Sequence, residues 1–132
     1  MKIVILDSQP LVGYFEKEDY WETIADYFSQ ATDERCMIFM TTVNFGEVYY
    51  AALRAYGEEH ADNVLATMKN LPIRLVDVDK ELAIQAGRFK ARGGLSYADC
   101  FAAALAKLRK GELVTGDKEF KVVEKEIKIM WV

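Results

Sequence analysis

Three carboxylates in this chain stand alone. Asp7 is the sole charge from Ile3 to Phe15, Glu47 the sole charge in the eighteen residues from Cys36 to Leu53, and Asp99 the sole charge from Gly93 to Ala106. Charged residues make up 29% of the sequence, so an even scatter would not leave three such gaps. An ionised carboxylate in apolar surroundings costs several kcal/mol unless positive charge compensates it. None of the three stretches contains a Lys or Arg. The leading candidate for the missing charge is a metal ion. A fourth acid, Asp117 in Thr115-Gly116-Asp117-Lys118, stands in a turn sequence near the end of the chain.

An all-oxygen set of ligands selects Mg2+ or Mn2+ over softer metals. Such an ion can lower the pKa of a bound water and neutralise a phosphoryl oxygen. With one histidine, His60, and two cysteines, Cys36 and Cys100, in apolar runs, the chain lacks the ligands of an ordinary zinc site. Each acid also has a purely structural reading. Ser96-x-x-Asp99 is a capping box with Asp in place of Glu, and Asp117 can cap a turn. Glu47 lies opposite its helix's apolar stripe, although Val43, Tyr50 and Ala51 partly cover that side. Asp7 is the hardest to dismiss, because Ser8 can do any capping that position needs.

The elements that must position these acids alternate along the chain. Lys2 to Leu6 reads as a buried strand ending at Asp7, and Ser8 to Phe15 as a short helix with Pro10 in its first turn. A helix over Asp19 to Thr32 follows, then a strand over Cys36 to Met40. Val43 to Tyr56 is a long helix with Phe45, Val48, Tyr49, Ala52, Leu53 and Tyr56 along its apolar stripe. Further helices are expected over Glu58 to Asn70, Lys80 to Ala91 and Ser96 to Arg109, with Gly93-Gly94 as a stop signal. Strands are expected over Ile73 to Val76, Glu112 to Thr115 and Lys128 to Trp131, with a short helix around Lys118 to Val123. This order implies a three-layer α/β/α fold with a mostly parallel central sheet of four to five strands. Sites in such sheets lie beyond the carboxyl ends of the strands. Asp7, Glu47, Asp99 and Asp117 are therefore expected to converge at one edge. Without a cation, two such charges ~4 Å apart repel by about 4 kcal/mol at an effective dielectric of about 20.

A length of 132 residues and 52% hydrophobic content fit one domain, spanning residues 1–132, with a real core. No uncharged run supplies the ~18–20 apolar residues of a membrane helix. The first residues have the length of a strand and not the pattern of a signal peptide, so a cytoplasmic protein is expected. A net charge of −4 argues against a broad nucleic-acid-coating role but not against an enzyme with an acidic pocket. Two basic clusters, Arg88, Lys90 and Arg92 before the Asp99 stretch and Lys107, Arg109 and Lys110 after it, read as a solvated helix face and a helix end.

Ile-Val-Ile-Leu-Asp7-Ser8, Asn44-x-x-Glu47, Leu95-Ser96-Tyr97-Ala98-Asp99-Cys100 and Leu113-Val114-Thr115-Gly116-Asp117-Lys118-Glu119-Phe120, in that order, resemble the PIN domain. The likeness is nearest to the VapC toxins of type II toxin–antitoxin modules and covers essentially the whole chain. It implies a Mg2+- or Mn2+-dependent endoribonuclease in which Asp7, Glu47, Asp99 and Asp117 are metal ligands and catalytic acids. Thr115, Asn44 and Ser8 would support the site, and Glu119 matches a further acid of the family. The implied chemistry is in-line attack of water on an RNA phosphodiester, leaving a 3′-hydroxyl and a 5′-phosphate. The implied partners are a second copy of the chain and a VapB-type antitoxin that covers the acidic pocket, without any membrane.

Other readings remain. A stand-alone PIN nuclease in RNA processing would carry the same acids, and a binding module that docks RNA or protein without cleaving would need none of them. A receiver-type phosphoacceptor wants paired acids after the first strand, and a haloacid-dehalogenase-type phosphatase wants Asp-x-Asp. Here Asp7 is followed by Ser8 and Gln9, which excludes both.

Overall fold

The computed structural model describes residues 1–132. In chain order the elements are β1 (Lys2–Leu6), α1 (Ser8–Phe15), α2 (Trp21–Thr32), β2 (Cys36–Thr41), α3 (Thr42–Tyr56), α4 (Glu58–Met68), β3 (Ile73–Val76), α5 (Lys80–Arg92), α6 (Tyr97–Arg109), β4 (Glu112–Thr115), a 3-10 turn (Lys118–Val123) and β5 (Lys128–Trp131). The five strands form one parallel sheet in the order β3-β2-β1-β4-β5. The register pairs Ile5 with Phe39 on one side and with Leu113 on the other. The chain thus winds outward from β1 to β2 and β3, then crosses back to build β4 and β5 on the other flank. The β1–β4 boundary is where the winding reverses, the place where open α/β sheets leave a crevice at the carboxyl ends of their strands.

Alternation along the strands builds a core on each face. Ile5, Phe39 and Leu113 pack with Leu82, Phe89, Leu105 and Phe120 under α5 and α6. Val4, Leu6, Ile38, Met40 and Val114 pack with Leu11, Ile24, Phe28, Val48 and Val64 under α1 to α4. Helix α6 is buried from Asp99 to Ala106, and its alanines let it lie close on the sheet. Gly93 and Gly94, at φ 83° and 92°, turn the chain sharply between α5 and α6.

The sequence-based elements recur with small shifts. Helix α2 starts at Trp21 because Asp19 and Tyr20 form a turn, closed by the Trp21 amide donating to the Glu18 carbonyl at 2.9 Å. The apolar stripe of α3 buries Val48, but Leu53 and Tyr56 are exposed, as is every residue from Leu53 to His60. Nothing else in the chain covers the junction of α3 and α4. The basic residues flanking the Asp99 stretch are partly engaged: Arg92 and Lys107 both pair with Glu126, and the Lys90 ammonium donates to the Leu95 carbonyl at 3.0 Å. No helix is long and apolar enough to cross a membrane.

Candidate metal centre

Asp7 is the residue at which β1 ends and α1 begins. Its amide continues the β1–β4 ladder by donating to the Val114 carbonyl at 3.2 Å, which holds the residue beside β4. The side chain is 1% exposed and makes no capping bond to α1. Thr115, fully buried at the end of β4, donates its hydroxyl to Asp7 Oδ2 at 2.8 Å. The same hydroxyl accepts the Asp117 amide at 3.0 Å. Asp7 Oδ1 is buried with no hydrogen-bond partner.

Glu47 comes to the same place along α3. Thr41 ends β2 and caps α3, its hydroxyl accepting the Asn44 amide at 3.0 Å and donating to Asn44 Oδ1 at 2.5 Å. The orientation this fixes directs Asn44 Nδ2 to Glu47 Oε1 at 3.0 Å and to the Ala98 carbonyl on α6 at 3.2 Å. Ser8 donates to the same Glu47 oxygen at 2.9 Å. Glu47 therefore faces the sheet edge and not open solvent, and its neighbours on the opposite side of the crevice explain why.

Asp99 is in the first turn of α6. The Ser96 hydroxyl accepts its amide at 3.2 Å, so this half of the capping box exists, and yet the residue is only 8% exposed. Carboxylate oxygens of Asp7, Glu47 and Asp99 lie within 4.8 Å of one another, as do those of Asp99, Asp117 and Glu119. Asp99 is common to both groups. Asp117 also caps the 3-10 turn by accepting the Glu119 amide at 3.0 Å, so its structural and clustering roles coexist. Glu119 is exposed at the rim.

No lysine or arginine pairs with any of these acids. Burial pushes the Asp7 carboxyl up to about 7, and Glu47 and Asp117 add to the rise against the Thr115 and Ser8 hydrogen bonds. Asp99 is likewise raised to about 7, first by burial and then by Asp7 and Asp117. The residues present fit a hard divalent cation: the donors are all oxygens, they are crowded without a counter-charge, and one buried oxygen lacks any partner. Three residues that organise the centre escape a reading of charges alone: Thr41, Gln9, whose side-chain oxygen accepts the Gly116 amide beside Asp117, and Ala98, through its carbonyl. Thr41 is visible only as a helix start, and a backbone carbonyl carries no sequence signal.

The model of the PIN domain matches residues 4–126, and the chain belongs to the PIN-domain family. No curated protein matches it by sequence. Among solved structures, a chain of the DNA-bound VapBC complex of Salmonella typhimurium superposes with a TM-score of 0.77 at 22% identity, over 98% of both chains. A chain of Rickettsia felis VapBC2, bound to a promoter DNA fragment, gives 0.76 at 16% identity over 97% of both. VapC20 of Mycobacterium tuberculosis, a toxin that cleaves the sarcin–ricin loop, gives 0.70 at 14% identity over 91% of this chain and 94% of its own. At these identities the likeness is one of fold.

Proposed function

We propose that this PIN domain is a Mg2+- or Mn2+-dependent endoribonuclease and the toxin of a type II toxin–antitoxin pair. The observation that carries the reading is the convergence of Asp7, Glu47 and Asp99, with one buried Asp7 oxygen left unpaired, at the point where the sheet reverses its winding. Membership of the PIN family and a fold shared with chains of VapBC complexes support it.

In this reading Asp7, Glu47, Asp99 and Asp117 hold the metal and are the catalytic acids. These residues would hold the ion, whose chemistry there would be to lower the pKa of a water and to offset charge on the phosphodiester. The chain's own work is to fix the donors. Thr115 occupies one oxygen of Asp7 and leaves the other without a partner. Asn44 and Ser8 together fix Glu47 through its Oε1. Glu119, exposed at the rim, makes a minor contribution. The protein acts as a homodimer in the cytoplasm, and a VapB-type antitoxin neutralises it; an acidic pocket of this kind accepts a guanidinium in place of the metal's charge.

Thermal melting of the wild type, Asp7→Asn and Asp99→Asn with and without millimolar Mn2+ tests the metal without guessing the RNA. Ligand at ~100 times its dissociation constant stabilises by about 2.7 kcal/mol. Stabilisation of the wild type that vanishes in both variants, with RNA cleavage following the same pattern, supports the reading. An unmoved wild type favours a binding module that does not cleave.

A further inference from the structure

Asp7, Ser8 and Gln9 follow one another, and each side chain reaches a different part of the centre. Asp7 bonds Thr115, Ser8 bonds Glu47, and Gln9 Oε1 accepts the Gly116 amide at 2.7 Å. The other end of the Gln9 amide, Nε2, donates to the Tyr20 hydroxyl at 2.7 Å. That hydroxyl donates in turn to the Gln9 carbonyl at 3.4 Å. Both ends of the primary amide are therefore committed, one to the loop that carries Asp117 and one to the start of α2.

Two glycines make room for this arrangement. A Cβ at Gly13 would lie 1.8 Å from the Tyr20 hydroxyl oxygen, so only glycine lets the tyrosine lie across α1. A Cβ at Gly116 would lie 3.0 Å from both Gln9 Oε1 and the Val132 carbonyl. The corner before Asp117 is thus held at three points, by Gln9 at the Gly116 amide, by the Val132 amide at the Thr115 carbonyl (3.1 Å) and by the Thr115 hydroxyl at the Asp117 amide.

We propose that Gln9, braced by Tyr20, is a positioning residue that sets the place of Asp117 in the centre; the inference rests on the metal-dependent reading above. Gln9 hydrogen-bonds none of the carboxylates and acts through the backbone. Without its oxygen the Gly116 N–H must find water, and the corner before Asp117 loses the one fixed point that a side chain outside β4 supplies, keeping the Val132 and Thr115 bonds. Asp117 then loses its set distance to Asp99 and Glu119. The Asp7–Glu47–Asp99 group, held by Thr115, Asn44 and Ser8, stays in place. Glutamine suits this position where a carboxylate does not: an acid would bring another negative charge to the cluster and would have no N–H for the Tyr20 hydroxyl.

The test uses the whole chain as Gln9→Ala, Tyr20→Phe, Asp117→Asn and the Gln9→Ala/Asp117→Asn double variant. In metal-free protein, amide hydrogen exchange at Gly116 should quicken about three- to tenfold in Gln9→Ala, less in Tyr20→Phe, with β1 and β4 amides unchanged. The Mn2+ concentration for half-maximal thermal stabilisation should rise about 10–100-fold in Gln9→Ala, as loss of a group that orients a ligand does. The double variant should bind no more weakly than Asp117→Asn, because the glutamine acts only through the aspartate. Should Gln9→Ala fail to fold, Tyr20→Phe carries both readouts. Unchanged Gly116 exchange, or additive losses in the double variant, would overturn the proposal. If Mn2+ fails to stabilise the wild type, the nuclease reading falls and the positioning role falls with it. If Mn2+ binds the wild type and Asp117→Asn weakens it while Gln9→Ala does not, the positioning role alone falls.

Discussion

The Thr115 hydroxyl joins two acids of the centre, donating to Asp7 Oδ2 at 2.8 Å and accepting the Asp117 amide at 3.0 Å. A hydroxyl with one donor and two acceptor positions can do both at once, and an apolar side chain of the same shape can do neither. Thr115→Val should therefore take from the buried Asp7 carboxyl its one side-chain hydrogen bond, destabilising metal-free protein at pH 8 by about 1–3 kcal/mol. Mn2+ affinity should fall about 10–100-fold. Thr115→Ser keeps the hydroxyl and should restore most of both. Urea unfolding and Mn2+ titration of the three proteins measure it; a valine variant as tight and as stable as wild type would remove the hydroxyl from the centre.

The raised carboxyls give stability a pH dependence of opposite sign to the common one. Asp7 and Asp99 go from an ordinary value of 3.8 to about 7 on folding, so the folded state holds more protons than the unfolded state between those pH values. Their contribution is then most favourable below about pH 4 and is lost as pH rises toward 7. Melting in EDTA should show a midpoint that falls from pH 5 to pH 8. Millimolar Mn2+ binds the ionised forms and should reverse the trend. A midpoint in EDTA that climbs across this range would mean that the two carboxyls are compensated inside the chain.

The same electrostatics separates folding from function at Asp99. Asp99→Asn removes a charge that burial, Asp7 and Asp117 all oppose. At pH 8 in EDTA the variant should melt higher than wild type and be more stable by on the order of 1–3 kcal/mol, because a tenfold change in a proton-binding constant is worth about 1.4 kcal/mol. It should also lose Mn2+ stabilisation and RNA cleavage. Greater stability with lost activity marks a charge kept for function, whereas a variant that is merely unstable marks a capping residue.

How much of this is legible in the sequence depends on the range of the interaction. Strands such as Lys2 to Leu6 and Cys36 to Met40 show as short aliphatic runs, and Thr41 and Ser96 announce helix starts that their side-chain caps realise. Asp7 is readable because an acid at a strand end, without a countercharge, has no local duty. Glu47 is ambiguous for the opposite reason: its local pattern puts it away from the stripe, and the bonds that turn it inward come from Ser8, 39 residues away, and from Asn44. The Thr115–Asp7 bond spans 108 positions, and only the family likeness singles out the threonine. The Gln9 bond to Gly116 spans 107 and leaves no mark, because a glutamine after a strand is ordinary until the fold brings β4 beside it. The exposed Leu53 and Tyr56 show the reverse failure, helical periodicity continuing past the part of α3 that anything covers.

Asn44 and Ser8 bond the same oxygen of Glu47, yet they should fail differently. Asn44 is fully buried and also serves Thr41 and the Ala98 carbonyl, so Asn44→Ala leaves three groups short of partners. It should cost about 2–4 kcal/mol of stability, summing roughly one unmade bond for each. Ser8 is only half-buried and makes one bond to the centre, so Ser8→Ala should cost no more than about 1 kcal/mol. Each should weaken cleavage in proportion to the freedom it gives Glu47, with Asn44→Ala losing more. Urea unfolding alongside single-turnover cleavage separates the two effects, and a Ser8→Ala variant as unstable as Asn44→Ala would mean that Glu47 is held through Ser8 alone.

Glu126 provides the control outside the centre. Arg92 and Lys107 hold its carboxyl down to about 2, and the three tie α5 and α6 to the segment before β5. A depressed carboxyl contributes stability above its unfolded value and loses it only as pH falls toward 2, so it is silent between pH 5 and 9. The network lies at the surface, where solvent screening keeps its contribution small. Glu126→Gln should therefore shift the melting midpoint slightly, less still at 1 M salt, where the Debye length is about 3 Å. It should leave the Mn2+ response intact. It also frees Arg92 and Lys107, so cleavage measured at low salt tells whether those cations belong to the RNA path: an unchanged rate keeps them as a structural clasp between two helices and a loop, and a rate that rises as they are freed makes them part of the substrate surface.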